Sequence, residues 1–342
     1  MPIFSVMVIA IAGAFLFSVL NLPIPWMLGP LFAVLAAQFF IKGELRWPVF
    51  LRNMGLLIVG VAIGQAFELS LFQQIGPLLF YMFVINTVLV IFSLLLAWFS
   101  AKTSQIPMKT AVISSVPGGL SQLIVFAEEE QDTDIAVVTY FHVVRVIAVV
   151  MLIPFFVSGH MVSGIDVMLD GSWWQLALLL VAAWFIVPIA AKLYLPVPQF
   201  LAPTLFVILL NVFSVEVPMM PSSILHIAQL FIGAYIGLLL KPKMVRLPVR
   251  VLMGGIVSTL LLIGVAYVGS LIVEQLLGFS FATSFLSTAP GGLDQMAILA
   301  TAVGADVSVV TLFQLFRILF IFLLVLPLLK WYYSRAQALE KL

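Results

Sequence analysis

Apolar runs dominate the chain, separated by short polar punctuation. Cutting at charges and at Pro/Gly clusters leaves apolar stretches at 3–20, 26–41, 51–67, 76–100, 135–156, 174–191, 199–215, 222–240, 249–273 and 307–329. A helix of roughly 20 apolar residues crosses the hydrocarbon core, so each stretch is predicted to be a membrane span. Two further stretches, 107–127 and 280–303, are interrupted by Pro117-Gly118-Gly119 and Pro290-Gly291-Gly292. Proline ends a helix and paired glycines let the chain reverse. These two stretches therefore predict helical hairpins.

The two halves repeat one pattern. Pro25 and Pro30 recur as Pro198 and Pro203, Gly60 and Gly64 as Gly233 and Gly237, and Pro117-Gly118-Gly119-Leu120 as Pro290-Gly291-Gly292-Leu293, each 173 positions later. After one deletion the offset is 172, and Asp134, Thr139, Phe141 and Arg145 match Asp306, Thr311, Phe313 and Arg317. So constant an offset marks an internal duplication. The expected units are residues 1–160 and 173–335, each with five spans and one hairpin.

Composition agrees with a membrane chain: 64% of the 342 residues are hydrophobic and 8% charged, against about 25% charged in soluble domains. Scattered charges summing to +1 provide no basic surface for nucleic acid. Without cysteine there is no disulfide framework and no thiolate chemistry. Residues 3–20 lack the positive flank of a cleaved leader and read as a retained first span.

Charge placement decides whether the interrupted segments cross. If they dip in and return, Lys42, Arg46, Arg52, Lys102, Lys192 and the cluster from Lys241 to Arg250 all fall on the cytoplasmic side, as the positive-inside rule requires. Re-entrant hairpins are the expectation. Five spans per unit then invert the second repeat relative to the first, with its hairpin entering from the opposite face and both termini in the cytoplasm.

A helix broken at mid-depth exposes backbone groups that hydrocarbon cannot satisfy, so each break needs a cavity or a protein partner. The second half-helices begin near Leu120-Ser121-Gln122 and Leu293-Asp294-Gln295, and a helix N-terminus suits an anionic group. Arg145 and Arg317 lie eleven residues beyond Asp134 and Asp306, roughly 16 Å into their spans. An arginine there must face protein, water or an anion. One alternative is that each guanidinium caps the free carbonyls of a hairpin's first half-helix. His142 and Gln314 share the face of these arginines one turn earlier. The candidate substrate-binding residues are Ser115, Gly118, Gly119, Ser121, Gln122, His142 and Arg145 in the first half, and Thr288, Gly291, Gly292, Asp294, Gln295, Gln314 and Arg317 in the second. Asp294, whose counterpart is Ser121, is the candidate site for proton or sodium coupling, with N-capping as its structural alternative. Gly60-x-x-x-Gly64 and Gly233-x-x-x-Gly237 read as close helix packing. No HExxH, P-loop or nucleophile elbow occurs, so no catalytic residue, metal or cofactor is expected.

Ser114-Ser115-Val116-Pro117-Gly118-Gly119, Ser287-Thr288-Ala289-Pro290-Gly291-Gly292-Leu293-Asp294 and Pro25-Trp26-Met27-Leu28-Gly29-Pro30, with the Asp…Arg spans, resemble the membrane AbrB-like family over almost the whole chain. The second copy of the early motif is degraded to Pro198-Gln199-Phe200-Leu201-Ala202-Pro203. The resemblance implies a duplicated multi-pass domain of the cell inner membrane. Members carry labels as regulators of gene expression and as ammonia monooxygenases. Copper or iron needs clustered ligands, and three dispersed histidines do not supply them. The expectation is an all-α secondary transporter, not an enzyme, moving a small organic anion or zwitterion through the bilayer. A membrane sensor acting indirectly on gene expression is the alternative, and a channel a third reading. A homodimer is left open.

Overall fold

A computed structural model describes residues 2–41, 43–67, 71–130, 132–157 and 173–340. Within its helices, the side chains of residues 2, 71–75, 120–122, 129, 334 and 336–340 lie outside the description. Every described element is helical. The first half holds α1 (Pro2–Val19), α2 (Pro25–Phe40), α3 (Val49–Ala66), α4 (Leu71–Ser104), α5 (Met108–Ser115), α6 (Leu120–Glu129) and α7 (Ile135–Val157). The second holds α8 (Trp173–Lys192), α9 (Pro198–Val212), α10 (Ser222–Gly237), α11 (Val249–Leu277), α12 (Phe281–Thr288), α13 (Leu293–Val303), α14 (Val307–Phe320) and α15 (Leu326–Glu340). A π turn, Ile321–Val325, joins α14 to α15.

Among the described residues, six helices are long and apolar enough to cross a membrane: Val49–Ala66, Gly76–Ser104, Ile135–Val157, Trp173–Lys192, Val249–Leu277 and Val307–Tyr333. The other four predicted spans form the shorter apolar helices α1, α2, α9 and α10. α4 shows why such a chain needs lipid: Phe80, Phe83, Val88, Ile91, Leu95 and Trp98 all stand exposed along it. In water that surface would be an aggregation site.

Each interrupted stretch forms two helices, α5 with α6 and α12 with α13, parted at the Pro-Gly-Gly loop. Contacts recur between the halves. α1 packs on α2 as α8 does on α9, and α5 lies against α4 and α7 as α12 lies against α11 and α14. Local chemistry recurs as well. Asp134 accepts from the amides of Ala136 and Val137 at 2.9 and 3.2 Å, and Asp306 from Val309 at 3.0 Å, so both begin their helices as side-chain caps. The Thr110 hydroxyl accepts the Asp134 amide at 3.1 Å and that of Thr283 the Asp306 amide at 3.0 Å, fastening each first half-helix to the start of the following rod.

The halves are knitted by two glycine crossings, α3 on α9 and α10 on α2. A Cβ on Gly64 would stand 2.7 Å from the Thr204 carbonyl oxygen, and one on Gly237 2.7 Å from that of Leu31. No side chain fits there, and the close approach is cemented by polar bonds. Asn211 donates to the Gly64 carbonyl at 3.1 Å, and Gln38, its counterpart 173 residues earlier, donates to that of Gly237 at 2.6 Å. Around these crossings Leu28, Leu57, Phe200 and Val207 join Ile153 and Phe285 in one core.

Gly64→Leu is expected to cost about 1–3 kcal/mol through overpacking, lowering the thermal unfolding midpoint in detergent. Gly264→Leu is the control, because a Cβ there meets nothing within 4 Å, and its midpoint should stay near that of the parent.

Candidate functional site

Where α5 and α12 stop, their last carbonyls lose the amides that would have continued the helix. The arginines of the neighbouring rods replace them. Arg145 on α7 donates from Nη1 to the Val116 carbonyl at 2.9 Å and from Nη2 to that of Gly118 at 3.0 Å. Arg317 on α14 donates from Nη1 to Ala289, and from Nη2 to Ser287 and Thr288, both at 2.9 Å. One turn earlier, His142 Nε2 lies 3.1 Å from the Ile113 carbonyl, while Gln314 Nε2 donates to Leu286 at 2.7 Å and to Ala289 at 3.2 Å. The capping alternative raised by the sequence is thus what both guanidiniums do.

They do it unequally. Arg317 also donates from Nε to Asn86 Oδ1 at 3.1 Å and from Nη1 to Gln314 Oε1 at 3.1 Å. A guanidinium has five N–H groups, and its five bonds leave Arg317 none to spare. The positions equivalent to Asn86 and Gln314 hold Thr259 and His142, and neither bonds Arg145. Among the described residues Arg145 keeps three N–H groups uncommitted, including a buried Nε without a partner.

Arg145 borders a cavity of about 370 Å³ into which both Pro-Gly-Gly loops project. Of the predicted residues, Gly118, Gly119, Arg145, Gly291, Gly292, Asp294 and Gln295 line it. Gly292 is α13's N-cap, and Asp294 stands inside the first turn of that helix, not at the cap. Gln295 Oε1 accepts the Gly292 amide at 2.8 Å. A Cβ on Gly292 would come within 2.8 Å of Asp294 Oδ1, so the bare glycine leaves the carboxylate its place.

Ser115, His142, Thr288, Gln314 and Arg317 are buried behind the loops and do not line the cavity. Thr288, for example, donates to the Ala266 carbonyl at 2.9 Å. The side chains of Ser121 and Gln122 lie outside the described residues. Three polar lining residues escaped the sequence reading: Arg52, Gln199 and Tyr235. The Arg52 guanidinium sits 5.1 Å from the Tyr235 ring centroid, a cation–π contact between helices of different halves. Arg52 falls at the start of an apolar run, where it passes for a flanking cation.

Apolar helices packed around a polar, arginine-bearing cavity make this a membrane protein of a kind compatible with transport or regulation. The family described as "Transition state regulatory protein AbrB" matches residues 26–333, and the chain belongs to this AbrB family. It is 28% identical to the protein YhjN of Bacillus subtilis (strain 168), covering 93% of this chain and 90% of the relative. It is 24% identical to "Putative regulator AbrB" of Escherichia coli (strain K12), covering 90% of this chain and 89% of the relative.

Arg317→Ala strips donors from three buried carbonyls and Asn86 and is expected to cost on the order of 3 kcal/mol or more. Arg145→Gln releases fewer bonds. Thermal unfolding and the yield of monodisperse protein should therefore fall much further for Arg317→Ala; equal losses would contradict the unequal roles.

Proposed function

We propose that the protein is a secondary transporter that carries a small organic anion or zwitterion across the cell inner membrane by alternating access. In this reading α1, α2, α9 and α10 cross along with the six longer helices. The two hairpins dip in from opposite faces, and the second five-span repeat is inverted relative to the first. The observation that carries it is the meeting of both interrupted loops in one cavity beside Arg145, whose buried Nε has no partner among the described residues. A desolvated cation with free donors is a site for a carboxylate or phosphate.

Asp294 brings a negative charge to the same cavity, which suits the cationic end of a zwitterion or a coupling proton or sodium ion. Besides the loops, the cavity is lined by Arg52 near the start of α3, by Val197, Pro198 and Gln199 at the start of α9, and by Tyr235, Ile236 and Leu239 at the end of α10. With the Lys241–Arg250 cluster cytoplasmic, all three helix ends face the cytoplasm and the cavity is open inward. Both termini are then cytoplasmic. Catalysis and DNA contact have no part in this scheme; a regulatory effect would follow from what is moved.

The test is flux of labelled organic anions and zwitterions into proteoliposomes, with imposed pH or sodium gradients. Saturable uptake is expected, and Arg145→Gln should lower it by roughly a hundredfold in folded protein. Asp294→Asn should abolish gradient-driven accumulation. Unchanged flux in both variants would overturn the assignment, and saturable binding without flux would point to a sensor.

A further inference from the structure

A second cavity, of about 420 Å³, with none of the loop residues in its walls, lies in the seam between α7 and α11. Its walls are almost wholly apolar, including Ile147, Met151, Leu240, Val245, Leu252 and Leu260. Ile256 and Leu260 stand exposed beside it, so the seam is a groove open to the acyl phase of the bilayer, not a sealed void.

The mouth of the groove is unusual. Leu240, Val245 and Leu252 interleave along the chain with Lys241, Lys243, Arg246 and Arg250. The short 3₁₀ turn Met244–Arg246 places Val245 in the groove, with Lys243 and Arg246 flanking it in the sequence. Met244 and Leu247 pack against the buried cluster of Tyr140, Phe141 and Val251, which anchors the turn from within. All four cations are exposed, and no ion pair among the described residues holds them. The neighbouring acid, Glu44, is engaged by Arg46 at 2.7 Å.

We propose that this groove is a binding site for an anionic phospholipid of the cytoplasmic leaflet, its acyl chain between α7 and α11 and its headgroup against Lys241, Lys243, Arg246 and Arg250. Charge complementarity selects the occupant. An apolar slot alone would take any lipid tail, whereas basic side chains at its mouth on the cytoplasmic face favour an acidic headgroup. A lipid wedged there braces the start of α11 against the rod that carries Arg145.

The experiment compares phosphatidylglycerol with phosphatidylcholine of the same chain length, added to the detergent-purified full chain. Lipid retention is read by native mass spectrometry and stability by thermal unfolding. Phosphatidylglycerol is expected to be retained preferentially and to raise the unfolding temperature further, while glycerol phosphate alone does neither. The surface variant Lys241→Gln/Lys243→Gln/Arg246→Gln should lose roughly tenfold or more of that preference. Ile256→Trp, which fills the groove, should lose retention of either lipid. Equal effects of the two lipids, or an undiminished preference in the triple variant, overturn the proposal. A dimer that Ile256→Trp disrupts would assign the groove to a second copy and overturn it too.

Discussion

The constraint on which this fold rests is the hydrogen-bonding demand of backbone carbonyls at two helix breaks inside an apolar protein. Each unmet carbonyl in such surroundings costs several kcal/mol, and each break frees several at once. Arginine is suited to the repair because its planar fork can serve carbonyls on successive residues. Placing that charge in the interior is itself expensive, so loop and arginine are viable only together. The tethers from Thr110 and Thr283 to the starts of α7 and α14 hold the two in register.

The two breaks are braced differently. Around Arg317, Asn86 from the first half and Gln314 from the second complete the shell and convert the guanidinium into a saturated brace. Around Arg145, which borders the cavity, the equivalent positions are Thr259 from the second half and His142 from the first, and the guanidinium keeps a buried Nε without a partner among the described residues. The acid is distributed the other way, since Asp294 belongs to the second loop and Ser121 to the first. The cavity thus draws Arg145 from the first half and its carboxylate from the second.

Much of this was legible in the sequence because it is written in local chemistry. The Pro-Gly-Gly breaks, the caps Asp134 and Asp306 and the glycine crossings each follow from what those residues can do alone, and the constant offset pairs them across the halves. The depth of Arg145 and Arg317 could be counted from their caps. What each guanidinium grips could not, because that depends on which backbone the neighbouring hairpin brings near. The same limit hid Arg52. Its position marks the start of a run, and only the packing of α3 on α10 brings it to the Tyr235 ring and hence to the cavity. Ser115 and Thr288 were read as polar groups beside a break, but their helices turn them into the packed interior.

The glycine seams carry a consequence for how such an architecture is assembled. Because α3 rests on α9 and α10 on α2, either half isolated from the other would present a flat, small-residue strip with carbonyls standing open beside it. A polypeptide carrying one copy would have to recruit a complementary subunit to cover that strip. For the two-copy chain, the earlier half must wait in the bilayer during synthesis until its mate has been inserted, so tertiary closure belongs to the end of biogenesis and not to its middle.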